Sequence, residues 1–210
     1  MKVLIAGDSQ AQGAGAVLQA KLQTQGHKVT RVAKHGAGSA EVRDLVRDLE
    51  GQAFDLVVVF SGSVSSPAAI QQTATAFPGA KVIWYGPSPA TTITDLALAK
   101  KVFGAKVSGK DYWFVSGEAA AREARNVKLP QLLPAGVQYV DWRRLSWPGG
   151  VYPAQADGIH ATKATAELAF APGNWPPPAG VTLGQLALPA VLVALAVWVA
   201  HRQGWLRGLW

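Results

Sequence analysis

Three residues of this chain have the types and the order that nucleophilic catalysis needs. Ser9 stands in Gly7-Asp8-Ser9-Gln10, and Asp157 and His160 stand in Asp157-Gly158-Ile159-His160. A histidine can take the proton from a serine Oγ, and an aspartate can fix the imidazole tautomer and stabilise the imidazolium. The Asp-x-x-His spacing lets one loop or helical turn present both side chains to a third element. A lone serine after a strand is most often a turn or N-cap residue; Asp157 and His160 make Ser9 a candidate nucleophile. Gly7, Gly13 and Gly15 surround it, but the Gly-Lys-Ser/Thr ending of a phosphate-binding loop is absent. No His, Asp and Glu spacing suggests a metal centre, and no cofactor is expected. His27 and His201 read as surface residues.

The elements that would position these groups follow from alternating apolar runs and helix-like stretches. Strands are expected at Val3 to Ala6, Lys28 to Ala33, Phe54 to Phe60, Lys81 to Tyr85 and Val137 to Val140. The third is apolar throughout, as in a strand covered on both faces. Helices are expected from Gly15 to Gln25, from Ala40 to about Glu50 with Ser39 as cap, and from Pro67 to Phe77. Residues 94 to 133 read as mainly helical, and Thr162 caps a last helix to Ala171. Strand–helix alternation with short connections implies a parallel sheet with helices on both faces, an α/β/α sandwich of three layers. Active sites in such sheets lie at the carboxyl ends of strands, where Ser9, Gly36 and Ser61 to Ser65 all fall.

These residues resemble the SGNH (GDSL-type) hydrolase family over about residues 1 to 170. The first family block matches Gly7-Asp8-Ser9, and the last matches Asp157 to His160. The glycine of the second block is matched by Gly36, in His35-Gly36-Ala37-Gly38-Ser39. The third block, normally Gly-x-Asn after the third strand, meets Ser61-Gly62-Ser63-Val64-Ser65, so its asparagine is missing. Ile83-Trp84-Tyr85-Gly86-Pro87 is similar to the fourth-strand end of the family. The resemblance implies an SGNH/flavodoxin-like fold with a sheet of about five strands, and a serine esterase acting through Ser9, His160 and Asp157. It implies that Asp8 holds the turn, and that the backbone N–H groups of Ser9 and Gly36 form the oxyanion hole. Where the amide is absent, Ser61, Ser63 or Ser65 could supply a hydroxyl, with Ser63 the leading candidate. His35 and Gly62 are the expected substrate contacts. Loss of one oxyanion donor costs ~3 kcal/mol in the transition state, so a slow, specialised or vestigial site is consistent with the missing asparagine. Small O-acyl esters, lipids or O-acetylated sugars are the implied substrates.

Composition narrows the partners. The absence of cysteine excludes disulfides and thiolate metal sites. The net charge of +7 is spread along the chain, with Lys100-Lys101 and Arg143-Arg144 its only adjacent basic pairs, so an anionic wall polymer or lipid is favoured over nucleic acid. Met1 to Ala6 reaches Gly7-Asp8 too early for the apolar region of a secretory signal and reads as a strand. A mean hydropathy of +0.13 is high for a purely soluble chain and points to the C-terminal segment. The expected domain, residues 1–171, is followed by a proline-rich linker at 172–180. Residues 181–200 are nearly all apolar and uncharged, and as a helix would span ~30 Å, the thickness of a bilayer core. Pro189 kinks such a helix without excluding it. Residues 201–210 form a basic, aromatic tail, and Trp175, Trp205, Trp210, Arg202 and Arg207 suit the two interfaces.

The expectation is thus a membrane-anchored esterase of the cell envelope, acting on an acylated polysaccharide or lipid. The alternative is a catalytically degenerate scaffold, a membrane-anchored structural or envelope-binding protein that is virus-associated. Truncation after Pro178 is expected to give a soluble domain, whereas the full chain should partition with detergent and resist carbonate extraction. A full-length chain that stays monomeric without detergent would overturn the anchor.

Overall fold

The computed structural model describes residues 1–89, 113–148 and 160–176. The chain divides into two compact units, Met1–Pro178 and Ala179–Trp210, and every described residue belongs to the first. The expected span at 181–200 and the tail at 201–210 lie outside the described residues. Among the described residues no helix is long and apolar enough to cross a membrane.

Five strands form the sheet: β1 (Lys2–Gly7), β2 (Lys28–Ala33), β3 (Leu56–Phe60), β4 (Lys81–Tyr85) and β5 (Gln138–Val140). All pairs are parallel and the order is β2-β1-β3-β4-β5. Five helices accompany them among the described residues: α1 (Ser9–Thr24), α2 (Ser39–Arg47), α3 (Pro67–Thr75), α4 (Trp113–Leu132) and α5 (Lys163–Ala169). The chain winds outward from β1 in one direction to β2 and in the other to β3, β4 and β5. That reversal opens a crevice at the carboxyl ends of β1 and β3, the place where doubly wound sheets bind ligands.

The period-2 alternation of the strands builds two cores. Val3, Ile5, Leu56, Val58, Phe60, Ile83 and Tyr85 face one side with Leu18 and Leu22 of α1 and Ala166 and Ala169 of α5. Leu4, Ala6, Val57, Val59, Val82 and Trp84 face the other, against Val42 and Val46 of α2, Ile70 of α3 and Leu129 of α4. Both faces of β1 and β3 are therefore apolar, which is why these strands read as unbroken hydrophobic runs. The first core carries an aromatic cluster in which Phe60 stacks on Tyr85 at 4.8 Å between ring centroids. Trp142 and Phe170 tilt against that pair.

Several element ends depart from the sequence expectation, each for a local reason. Helix α1 begins at Ser9 rather than Gly15, because the Asp8 carboxylate caps it by accepting the Gln10 N–H at 2.8 Å. Each interior glycine costs a helix about 1 kcal/mol; Gly15 is accommodated because a Cβ there would come within 3.1 Å of Ile5 Cγ2. Ser39 is not the cap of α2. Gly38 takes that place, with its N–H donated to Glu41 Oε2 at 2.9 Å. The Ser39 hydroxyl is buried and instead accepts the Ser66 N–H at 2.8 Å. Of residues 94 to 133, the part from Trp113 onward is described and is helical to Leu132. Within the stretch expected as linker, Asn174 is buried and exchanges hydrogen bonds with the Ser146 backbone at 2.7 and 2.9 Å. Trp175 packs edge-on against Phe170.

The tightest backbone approach lies at the end of β1. Gly7 has φ +149°, and a Cβ there would stand 1.9 Å from the Phe60 carbonyl oxygen. No side chain fits without separating β1 from β3. Gly7→Ala is expected to destabilise the domain by about 2 kcal/mol or more, read as a lower urea midpoint. An unchanged midpoint would mean that the β1–β3 contact relaxes freely.

Candidate active site

Where β1 gives way to α1, three consecutive residues do three jobs. Gly7 permits the close approach to β3. Asp8 donates its N–H to the Phe60 carbonyl at 3.0 Å, caps α1 through Oδ1, and accepts the Gly62 N–H on Oδ2 at 3.4 Å. Ser9 then opens a 16-residue helix, half-buried at its positive end. The sequence thus supplies a rigid elbow, and its hydroxyl is placed by backbone contacts on both sides.

His160 arrives from the far end of the chain. It lies just before Thr162, whose hydroxyl caps α5 by accepting the Thr165 N–H at 3.2 Å. The His160 Nε2 stands 2.9 Å from Ser9 Oγ, a hydrogen-bonding distance across 151 residues of sequence. Asp157, expected at Nδ1, lies outside the described residues. His35 is exposed on the β2–α2 turn, its ring centroid 5.8 Å from that of His160 and tilted by 35°. A pocket of about 340 Å³ opens among Ser9, Gln10, Gln12, Gly13, His35, His160 and Ala161. A serine hydroxyl held on an imidazole in an open, polar pocket can be activated as a nucleophile.

The other expected residues take different places. Gly36 sits on the same turn as His35, with φ +69° and open space where a Cβ would be. That turn is closed by the Ala37 N–H on the Lys34 carbonyl at 3.2 Å and tied to β1 by the Lys34 N–H on the Gly7 carbonyl at 3.1 Å. Gly62 is buried behind the elbow, where a Cβ would meet Pro87 Cβ at 2.7 Å; it holds Asp8 rather than lining the pocket. Ser63 does not line the pocket either. Its hydroxyl bonds Ser65 Oγ at 2.9 Å, and Ser65 Oγ in turn lies 3.1 Å from Ser39 Oγ. Val64 packs against the second core. The serines after β3 therefore form a cluster against Ser39 of α2.

Behind Ser9 lies a buried polar chain that carries no mark in the local sequence. Gln10 Nε2 donates to Ser88 Oγ at 2.6 Å. Arg122, only 8% exposed, donates through Nη1 to the Ser88 carbonyl at 2.6 Å and to Ser88 Oγ at 3.0 Å. Asn126 of the same helix accepts the Tyr139 hydroxyl at 2.6 Å. Ser88 could have been suspected from its place just after the carboxyl end of β4. Nothing in the local sequence marks Arg122, whose role depends on where α4 lies against the sheet.

A parallel sheet wound outward from β1, with helices on both faces and Ser9 at the carboxyl end of β1, is an SGNH/flavodoxin-like α/β fold. No family model matches the chain, and no curated protein matches it. Solved structures do. The chain is similar to a carbohydrate acetylesterase family member from Sinorhizobium meliloti, at 17% identity and a TM-score of 0.48, covering 83% of this chain and 95% of that one. It is similar to the C-terminal catalytic domain of peptidoglycan O-acetyltransferase A from Streptococcus pneumoniae, at 20% identity and a TM-score of 0.42, covering 80% and 86%. A third is a lipase from a goat rumen metagenome, at 11% identity and a TM-score of 0.41, covering 83% and 98%.

Burial raises the Asp8 carboxyl above its ordinary 3.8, partly offset by the N–H groups of Gln10 and Gly62 and by the charges of Arg122 and His160. The folded chain thus holds this proton to higher pH than the unfolded chain does. The stability it contributes is complete below 3.8 and is lost as pH rises through the raised value. Asp8→Asn keeps a capping acceptor and removes the titration. Urea midpoints measured from pH ~4 upward should shift in favour of the variant as pH rises. A midpoint difference that does not change with pH would refute the raised carboxyl.

Proposed function

We propose that this domain is a serine esterase that cleaves small acyl groups from polar alcohols. The observation that carries the reading is the 2.9 Å contact between His160 Nε2 and Ser9 Oγ at the β1–β3 crevice. Ser9 Oγ attacks the ester carbonyl carbon while His160 takes the hydroxyl proton. The tetrahedral oxyanion is met by the N–H groups of Ser9 and Gly36, the first at the positive end of α1. His160 returns the proton to the departing alkoxide, and water then repeats the sequence to release the acid. In this reading Asp157 orients His160 from Nδ1.

The pocket lining supports the choice of acyl group. Among the described residues Ala161 is its one apolar side chain. A long acyl chain gains roughly 25 cal/mol for each Å² of apolar surface it buries, and such a lining offers little to bury against. An acetylated polysaccharide therefore fits better than a lipid. The uncharged segment 181–200 and the net charge of +7 support placement at a membrane beside an anionic envelope polymer.

The test is labelling with a serine-directed fluorophosphonate. The wild-type chain should label at Ser9 and hydrolyse p-nitrophenyl acetate faster than the octanoate. Ser9→Ala should lose both labelling and hydrolysis. A folded wild-type protein that neither labels nor hydrolyses would show the catalytically degenerate scaffold instead.

A further inference from the structure

We infer that His35 is a catalytic residue that donates its imidazole N–H to the oxyanion formed on Ser9. The inference rests on the esterase reading and adds to it the side-chain donor of the oxyanion hole.

The donors on the pocket are few. Among the described residues five polar side chains line it: Ser9, Gln10, Gln12, His35 and His160. Ser9 is the nucleophile and His160 Nε2 is engaged with it. The amide nitrogen of Gln10 is turned into the protein, onto Ser88 Oγ. Ser63, at the end of β3, is bound to Ser65 and lies off the pocket. Gln12 and His35 are left. Gln12 belongs to the exposed face of α1, within the same helix as the nucleophile. His35 approaches from a different element and makes no hydrogen bond among the described residues, so its N–H is available to a ligand.

Position favours His35. Its ring centroid lies 5.8 Å from that of His160, and both rings line one pocket with Ser9, where a carbonyl bonded to Ser9 would sit. A donor must come within ~3 Å of the oxyanion, a span one imidazole edge covers. The β2–α2 turn is braced for this task. Lys34 N–H holds it to Gly7, next to the elbow, and Glu41 holds its other end through the Gly38 N–H and an ion pair with Lys34. The same turn carries Gly36, so one rigid segment presents a backbone and a side-chain donor together. Either imidazole tautomer keeps one N–H, and no proton is transferred: the new Oγ–C bond forms as the carbonyl π pair moves to oxygen, with the serine proton going to His160.

The experiment compares His35→Phe, which keeps a ring without a donor, with His35→Gln, which keeps a side-chain N–H, and with Gln12→Ala. Each full-length variant is assayed with p-nitrophenyl acetate after its thermal midpoint is matched to wild type. His35→Phe is expected to lower kcat about 100-fold with KM nearly unchanged, as for other single oxyanion donors. His35→Gln should recover about tenfold of that loss, and Gln12→Ala should lower kcat by less than His35→Phe does. If His35→Phe keeps the wild-type kcat while Ser9→Ala is inactive, the donor assignment falls and the esterase reading stands. A loss confined to KM, or a loss in Gln12→Ala instead, likewise overturns it. If the wild-type chain shows no Ser9-dependent hydrolysis, both readings fall together.

Discussion

Two adjacent strands approach so closely at Gly7 that the Phe60 carbonyl occupies the space a side chain would need. This contact sets the rest of the site. It lets the Asp8 N–H reach Phe60, which aims the Asp8 carboxylate back toward Gln10 and Gly62. The carboxylate then starts α1 at once, with no loop between strand and helix, and Ser9 is the first residue of that helix. A hydroxyl placed this way has little freedom to wander, and it meets the imidazole of His160 at 2.9 Å. Asp8 itself carries a cost: it is held out of water and its carboxyl is pushed up. Capping and the nearby Arg122 guanidinium offset part of that cost, and the elbow gains its shape.

The support beneath the elbow is polar on one side and aromatic on the other. On the polar side, Gln10, Ser88 and Arg122 form a chain of short hydrogen bonds in a buried setting, where each bond is electrostatically stronger than in water. Gly86 is part of this frame, because a Cβ there would stand 2.0 Å from the Tyr139 hydroxyl. Trp142 Nε1 donates to the Gly86 carbonyl at 3.0 Å and couples the polar chain to the aromatic cluster. In that cluster Phe60 and Tyr85 stack at the carboxyl ends of β3 and β4, with Phe170 just past α5 edge-on against them. Helix α5 begins three residues after His160, so the packing of Phe170 also limits where His160 can go. Burial pushes the Tyr85 hydroxyl up and it remains neutral, without a partner among the described residues.

The largest departure from the resembled family lies at the end of β3. Ser61 is buried and its carbonyl accepts the Trp84 indole N–H at 2.9 Å, and the residues that follow it reach α2. There the hydroxyls of Ser39, Ser63 and Ser65 lie within hydrogen-bond reach of one another in a chain, and the Ser66 N–H donates to Ser39. Ser39 thus fastens α2 to the loop before α3, while the Ser66 hydroxyl caps α3 by accepting the Ala69 N–H. The β2–α2 turn, by contrast, is tied to the end of β1 through the Lys34 N–H on the Gly7 carbonyl.

Strand positions, the parallel sheet and the elbow were legible in the sequence. Apolar runs such as Val57-Val58-Val59 have one solution when both faces are covered, and Gly-Asp-Ser after a strand combines close approach, cap and hydroxyl in three adjacent residues. Those are local properties: steric permission, capping and period-2 burial act within a few residues. Helix starts were less legible where a cap outweighed propensity, as when Asp8 began α1 before two glycines. What only the tertiary structure decided was which distant groups meet. His160 and Ser9 could be paired by type but not by distance. Arg122 carried no local mark, and the serines after β3 read equally well as donors to substrate or as fasteners for α2. Each of these depends on how helices and loops far apart in the chain settle on one sheet. Their pairing is set by packing across the sheet, which no short window of sequence contains.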